Sequence, residues 1–466
     1  MDELTINLKN NEVPYYEQIY DYIKSQIQAG KIKYKEKLPS TRKLAAYLCL
    51  SRSTINMAYE QLLSEGYIES RPNKGYFVCN VEDLFRLDIQ NKSFYELKEE
   101  IGAKYKYDFS LSRIDLENFP YDKWRKISKN ILSDDRKELF QTGSSMGEFS
   151  LRETICNYLY RARGVNCNPD QIIIGAGNEY LLILLGQIIG KGKCIAMENP
   201  TYTQAYNTFN SMGYKVKPVP MDKNGIRIDK LKESLAQLVY VMPSHQFPLG
   251  IVMPITRRME LLNWANDGEN RYIIEDDYDS EFRYKGKPIP ALQGFDTDSK
   301  VIYMGTFSKS IAPAIRISYM VLPDKLLEKY KKAFSFYYST VSRIDQQILN
   351  TFINEGHYER HLNKMRSIYK NKHDILIDEF KSFDSKVEVS GENAGLHILI
   401  NVDRLNISVK KIIDKLMKKG LKVYNVNDYL ISPVEEEKNT FLIGYAANSE
   451  NDIIEGIRII KNTLFG

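Results

Sequence analysis

Apolar residues follow a helical period at the front of this 466-residue chain and shorter strand-like runs further on. Between Tyr15 and Ala29, Ile19, Tyr22, Ile23 and Ile27 share one helical face. Ser40 is a natural N-cap for a second helix that carries Leu44, Ala45 and Leu48 inward, and a tight turn follows at Cys49–Ser51. Ser51 then caps a third helix burying Ile55, Ala58, Tyr59, Leu62 and Leu63, and Gly66 stops it. The segment YIESRPNKGYFV reads as a two-stranded hairpin turning on Pro-Asn-Lys-Gly. Two helices joined by a short turn, with a hairpin behind, describe a winged helix-turn-helix over residues 12–80.

Residues 81–107 are rich in charge and poor in Gly and Pro, and they read as a linker, partly helical. From 108 to 466 the runs QIIIGAG, CIAMENP, LVYVMPS, YIIEDDY and VIYMGTF alternate with helical patterns. That alternation predicts an α/β domain, a large mostly parallel sheet with helices on both faces. After Leu322 a long helical stretch, GLHILINV, the helix ISVKKIIDKLMKKG and the strand FLIGYA predict a small α+β subdomain.

Composition narrows the class without naming a function. A hydrophobic share of 43% and a charged share of 27% fit an ordinary soluble protein. Apolar windows such as Tyr180–Ile189 are too short to cross a bilayer, and the polar MDELTINLKN start lacks the features of a signal peptide. Five scattered cysteines form no C-x-x-C pair, which argues against a disulfide framework or zinc site and suits a reducing cytoplasm. A net charge of +5 neither demands nor excludes nucleic acid.

Candidate DNA contacts cluster on the winged helix. Arg52, Ser53, Thr54 and Asn56 open the second helix of the motif, the end that enters a major groove. Arg42 begins the preceding helix, and Lys74 and Gly75 sit at the hairpin tip, where phosphates would lie. Spacing alone allows a blander reading, three amphipathic helices with solvated basic residues. LPSTRKLAA, SRSTINMAYEQL, EGYI and KGYFV, in that order, resemble the DNA-binding domain of the GntR family. That family usually has another basic residue where Asn56 stands.

Four segments of the larger domain carry chemistry. In IIIGAGNEYLL, a strand and Gly turn lead into a helix, so amides near Gly177 and Asn178 offer an anion site. In YIIEDDYDSEF, Asp276 at a strand end is suited to a pyridinium nitrogen and Tyr278 to a ring phenolic oxygen. Three successive acids also allow a metal reading, but no His or further carboxylate joins them, so no metal is expected. In VIYMGTFSKSIAPAIRISY, Lys309 follows Thr306 and Ser308 and precedes Arg316 by seven residues. A lysine that forms an imine must shed its proton, and hydroxyls with an arginine suit a phosphate dianion. The last pair is ENPTYTQAY and MPSHQFPLG.

These segments, in this order, resemble fold-type-I aminotransferases from about residue 140 to 455. The resemblance implies that Lys309 forms the Schiff base with pyridoxal 5'-phosphate (PLP) and that Tyr202 stacks on its ring. It implies that His245 or Gln246 lies beside the phenolic oxygen. A GntR-type winged helix ahead of such a domain resembles the MocR subfamily of regulators. That implies promoter DNA as partner, a small-molecule effector, and a head-to-tail homodimer with PLP at its interface.

The expected function is a PLP-dependent transcription regulator sensing PLP or an amino compound. The alternative is an active aminotransferase with an accessory DNA-binding domain. One departure bears on the choice. The last strand, TFLIGYAANSE, lacks the arginine that usually pins a substrate carboxylate, and Gln204 stands where a second guanidinium would be. Thr142 also replaces a common aromatic, so one phosphate contact is expected to be missing.

Overall fold

The computed structural model describes residues 6, 8, 13–80, 105–133, 137–284, 289–383, 387–391, 394–405, 407–434 and 438–466. Most of the expected linker therefore lies outside the described residues. Two compact units separate, Met1–Ile101 and Gly102–Gly466.

In the smaller unit, helices α1 (Tyr15–Gln28), α2 (Thr41–Leu48) and α3 (Arg52–Ser64) precede strands β1 (Ile68–Arg71) and β2 (Gly75–Val78). Both expected caps form: Ser40 Oγ accepts from the Lys43 amide and Ser51 Oγ from the Thr54 amide, each at 3.2 Å. Between the two helices Cys49 adopts a left-handed conformation with φ 53°. Ile19 and Ile23 of α1 pack with Leu44 of α2 and Ile55, Ala58, Tyr59 and Leu62 of α3. Leu63 does not join them and is 40% exposed, because 55, 58, 59 and 62 already complete one helical stripe. Tyr22, also expected inward, is only half-buried. The hairpin pairs Arg71 with Gly75 around Asn73, whose φ is 58°, and Tyr76 sets its ring edge against Tyr59 at 5.0 Å.

The larger unit is built on an eight-stranded sheet ordered Ile172–Gly175, Ser318–Val321, Val301–Thr306, Tyr272–Asp277, Leu238–Val241, Cys194–Asn199, Lys215–Asp222 and Gly225–Ile226. The five expected runs are all strands of it. Two members run against the rest: Ser318–Val321, antiparallel to both neighbours, and the edge strand Gly225–Ile226. Successive residues point to opposite faces, and both faces are covered. Ile173, Ile274, Ile302 and Met320 pack beneath the helix Asn178–Ile189, while Ile273, Val301 and Val239 meet the helix Ile255–Asn266 on the other side. Each such buried side chain is worth about 1.5–3 kcal/mol over exposure.

The closing subdomain has the antiparallel order Glu388–Ser390, His397–Asn401, Thr440–Gly444 and Tyr424–Asn425. Tyr107–Asp108 pairs in parallel with Leu421–Lys422, which carries the segment after Asp108 between this subdomain and the large sheet. Among the described residues no helix is long and apolar enough to cross a membrane.

Candidate functional site

On the winged helix, Arg42, Arg52, Ser53 and Lys74 are exposed, and Thr54, Asn56 and Gly75 are half-exposed. The cap spends two of the hydroxyls, since Ser51 Oγ bonds Ser53 Oγ at 2.7 Å and Thr54 Oγ1 at 2.8 Å. Arg52 and Asn56 stand four residues apart on one helix face, neither side chain making a hydrogen bond or ion pair among the described residues. Gly75 serves the turn: its φ is +97°, and an added Cβ would come within 3.3 Å of Lys37.

In the larger unit, the carboxyl ends of the strands open onto a cavity of about 340 Å³. Lys309 lies just beyond the strand Val301–Thr306, and its Nζ donates to the Leu111 carbonyl at 2.5 Å. Burial pushes the amine down to about 8.

Strand alternation sorts the three successive acids. Glu275 faces away and accepts from the amides of Leu292 and Gln293 at 2.7 and 2.8 Å, and Asp277 binds Arg163 at 2.8 Å. Asp276, between them, faces the cavity. The acids do not converge, and among the described residues no three potential ligands gather to hold a metal. The Tyr240 hydroxyl donates to Asp276, and Asn178 Nδ2 approaches its two oxygens at 3.3 and 3.4 Å. No cation is among these partners, and burial pushes the carboxyl up to about 7.

Gly177 ends the turn before the helix Asn178–Ile189 with φ +96°, and an added Cβ would lie 2.2 Å from Arg316 Nη2. The glycine thus lets a guanidinium approach the helix amides. Arg316 itself has φ 51° and donates to Glu179 Oε2 at 2.7 Å. Thr306 and Ser308 line the same wall, with the Ser308 amide donating to Thr306 Oγ1 at 3.1 Å. Tyr202, beside the helix Thr203–Ser211, also lines the cavity, its hydroxyl 3.4 Å from Glu179.

The SHQFPLG turn departs from expectation. His245 is 3% exposed and does not line the cavity; its Nδ1 meets Asp279 Oδ2 at 2.9 Å and the Tyr278 hydroxyl at 3.1 Å. Gln246 spends its amide on the carbonyls of Pro200 and Phe247. The turn presents Phe247 instead, so His245 stands behind Tyr278. Thr142 is exposed and outside the cavity.

Sequence reasoning passed over several lining residues: Ser110, Glu179, Asp279, His397 and Tyr429. Asp279 and Glu179 had a signal, each lying within one residue of a position already singled out. Ser110, His397 and Tyr429 come from segments remote in sequence and gave none. The strand Thr440–Gly444 contributes no cation, and the described lining contains only two, Lys309 and Arg316.

Comparison with known proteins agrees with both units. Residues 15–78 match the family of bacterial regulatory proteins called gntR, and residues 109–460 match aminotransferase class I and II. The chain is 43% identical to the uncharacterised HTH-type transcriptional regulator YdeL of Bacillus subtilis, covering 97% of this chain and 96% of that one. It is 29% identical to the probable rhizopine catabolism regulatory protein MocR of Rhizobium meliloti, over 97% and 94% of the two chains. Among solved structures, the kynurenine aminotransferase of Pyrococcus horikoshii superposes with a TM-score of 0.68 at 26% identity, covering 78% of this chain and 91% of that one.

Proposed function

The chain belongs to the MocR subfamily of gntR-type regulators, and from that premise we propose that it controls transcription by sensing a small molecule through bound PLP. The observation that carries this reading is Asp276, a buried carboxylate at the cavity wall whose described partners include no cation. A protonated ring nitrogen is the charge it lacks, and pairing would bring the carboxyl back down from about 7.

The remaining residues fit the same group. The phosphate would sit at the amides of the helix Asn178–Ile189, beside Thr306, Ser308 and Arg316, whose approach Gly177 permits. Tyr278 would meet the phenolic oxygen, held in place by His245 and Asp279. Tyr202 would cover one ring face. When bound, the cofactor supplies an aldehyde that condenses with amines and a ring that withdraws electrons. Lys309 supplies the anchoring amine, whose lowered proton affinity makes the neutral form accessible near pH 8.

The effector is PLP itself or an amino compound that reacts beside it. On the DNA side, Arg52 and Asn56 would reach base edges, while Arg42 and Lys74 would hold phosphates on either side. The protein would act in the cytoplasm as a homodimer, so that two winged helices engage two half-sites of one operator.

A second reading, sustained amino transfer, draws on the likeness to the Pyrococcus kynurenine aminotransferase. It requires a cation for the substrate carboxylate, and both cavity cations already have tasks at the cofactor. One experiment separates the two. Footprinting of full-length protein on DNA upstream of its own gene should give a protected site whose occupancy changes with PLP or an amine. No protection at any nearby promoter, combined with steady turnover of an amino acid with a keto acid, would overturn the regulator reading in favour of the enzyme.

A further inference from the structure

The cavity of about 340 Å³ is walled on the subdomain side by residues with a chemistry of their own. We infer that this wall takes a small amine carrying hydroxyl groups and no carboxylate. The inference rests on the reading of the cavity as a PLP site.

A carboxylate leaving water needs a cation at its destination. The described lining has two, Lys309 and Arg316, one for the aldehyde and one for the phosphate. The subdomain wall offers Leu396, His397 and Tyr429 instead, and Asp279 adds negative charge next to Lys309. Within this protomer an anionic ligand tail there would meet hydroxyls but no cation, and would face the Asp279 carboxyl.

The same wall suits hydrogen-bond donors. His397 Nε2 lies 2.9 Å from the Pro248 carbonyl, which can only accept, so Nε2 carries the ring proton. Burial holds the ring neutral by pushing its pKa down to about 4. Its Nδ1 is therefore an acceptor. Ser110 Oγ and Ser112 Oγ sit 3.1 Å apart at the neighbouring edge, and the Tyr429 hydroxyl has no partner among the described residues. Acceptors and hydroxyls without a cation match an amino alcohol, whose amine would react at the cofactor while its hydroxyl meets this wall.

The test compares two probes of matched length, 3-amino-1-propanol and β-alanine, titrated into full-length PLP-loaded protein and followed by the cofactor absorbance and by calorimetry. The amino alcohol is expected to bind about tenfold more tightly or better. In His397→Arg, which supplies the missing cation, the preference should shrink or reverse. Tyr429→Phe removes a single hydroxyl and should weaken the amino alcohol severalfold while leaving β-alanine unchanged. Equal or tighter binding of β-alanine by the unaltered protein overturns the inference, and so does failure of both probes to bind the loaded protein. If no cofactor band forms at all, the PLP reading itself falls, an outcome distinct from either.

Discussion

In the N-terminal unit, Arg42, Arg52 and Lys74 stand in solvent without ion pairs among the described residues, whereas in the larger unit Lys309 and Asp276 line a cavity and titrate away from their ordinary values. On the proposed reading both sets serve recognition, but through different physics. Exposed charges keep their full hydration and act by attraction that salt screens, so each contributes a modest, separable amount. Cavity charges have lost part of their hydration, so each depends on its partners and responds to pH rather than to salt. A regulator built from both should therefore lose function in two distinguishable ways.

The largest break in that comparison is Lys309→Ala. It should abolish the absorbance band of bound PLP while leaving the circular dichroism of the fold intact; persistence of the band would refute the anchor. Next is Arg52→Ala, expected to weaken operator binding by about 1–3 kcal/mol with an unchanged cofactor spectrum. A spectrum that changed with it would dissolve the separation between the two sets. Gly177→Ala places a methyl against Arg316 in a backbone conformation that disfavours alanine, and PLP affinity should fall about tenfold or more by equilibrium dialysis.

Acidity should move only the cavity. Lys309 has a folded-state value of about 8, below its unfolded one, so the amine is charged below that pH and neutral above it. PLP loading should therefore quicken as pH rises from 7 and level off above about 8, whereas non-specific DNA affinity should stay flat over the same range. A loading rate indifferent to pH would mean that the amine is not what limits it. The smallest effect belongs to Lys74→Ala, which should lower the salt slope of DNA binding by about one, uniformly across sequences.

Much of this arrangement was legible in the residues alone, for local reasons. Ser40 and Ser51 cap their helices because a hydroxyl at that position reaches an otherwise unpaired amide three residues on. Lys309, Arg316, Asp276 and Gly177 carry recognisable neighbours; the fold brings the first three to one cavity and sets Gly177 against Arg316. The antiparallel strand Ser318–Val321 was missed because its first two residues, Ser318 and Tyr319, end a motif already assigned to the lysine. Leu63 was misplaced because apolar character does not say whether a helix stripe is already complete. The orientation of His245 depends on Asp279, and the arrival of His397 and Ser110 depends on how the last subdomain closes over the sheet. Those are tertiary facts with no local signature.

The bond between Arg316 and Glu179 bears on how tightly the proposed phosphate site could hold an anion. The guanidinium already has an anionic partner within the chain, and both side chains of the pair are substantially exposed. A phosphate bound there would exchange one anionic partner for another, and the affinity gained would be the difference between two pairings rather than the whole of one. On the proposed reading, such a competing pair would lower the affinity for the phosphate and let occupancy follow the free ligand over a higher range of concentration.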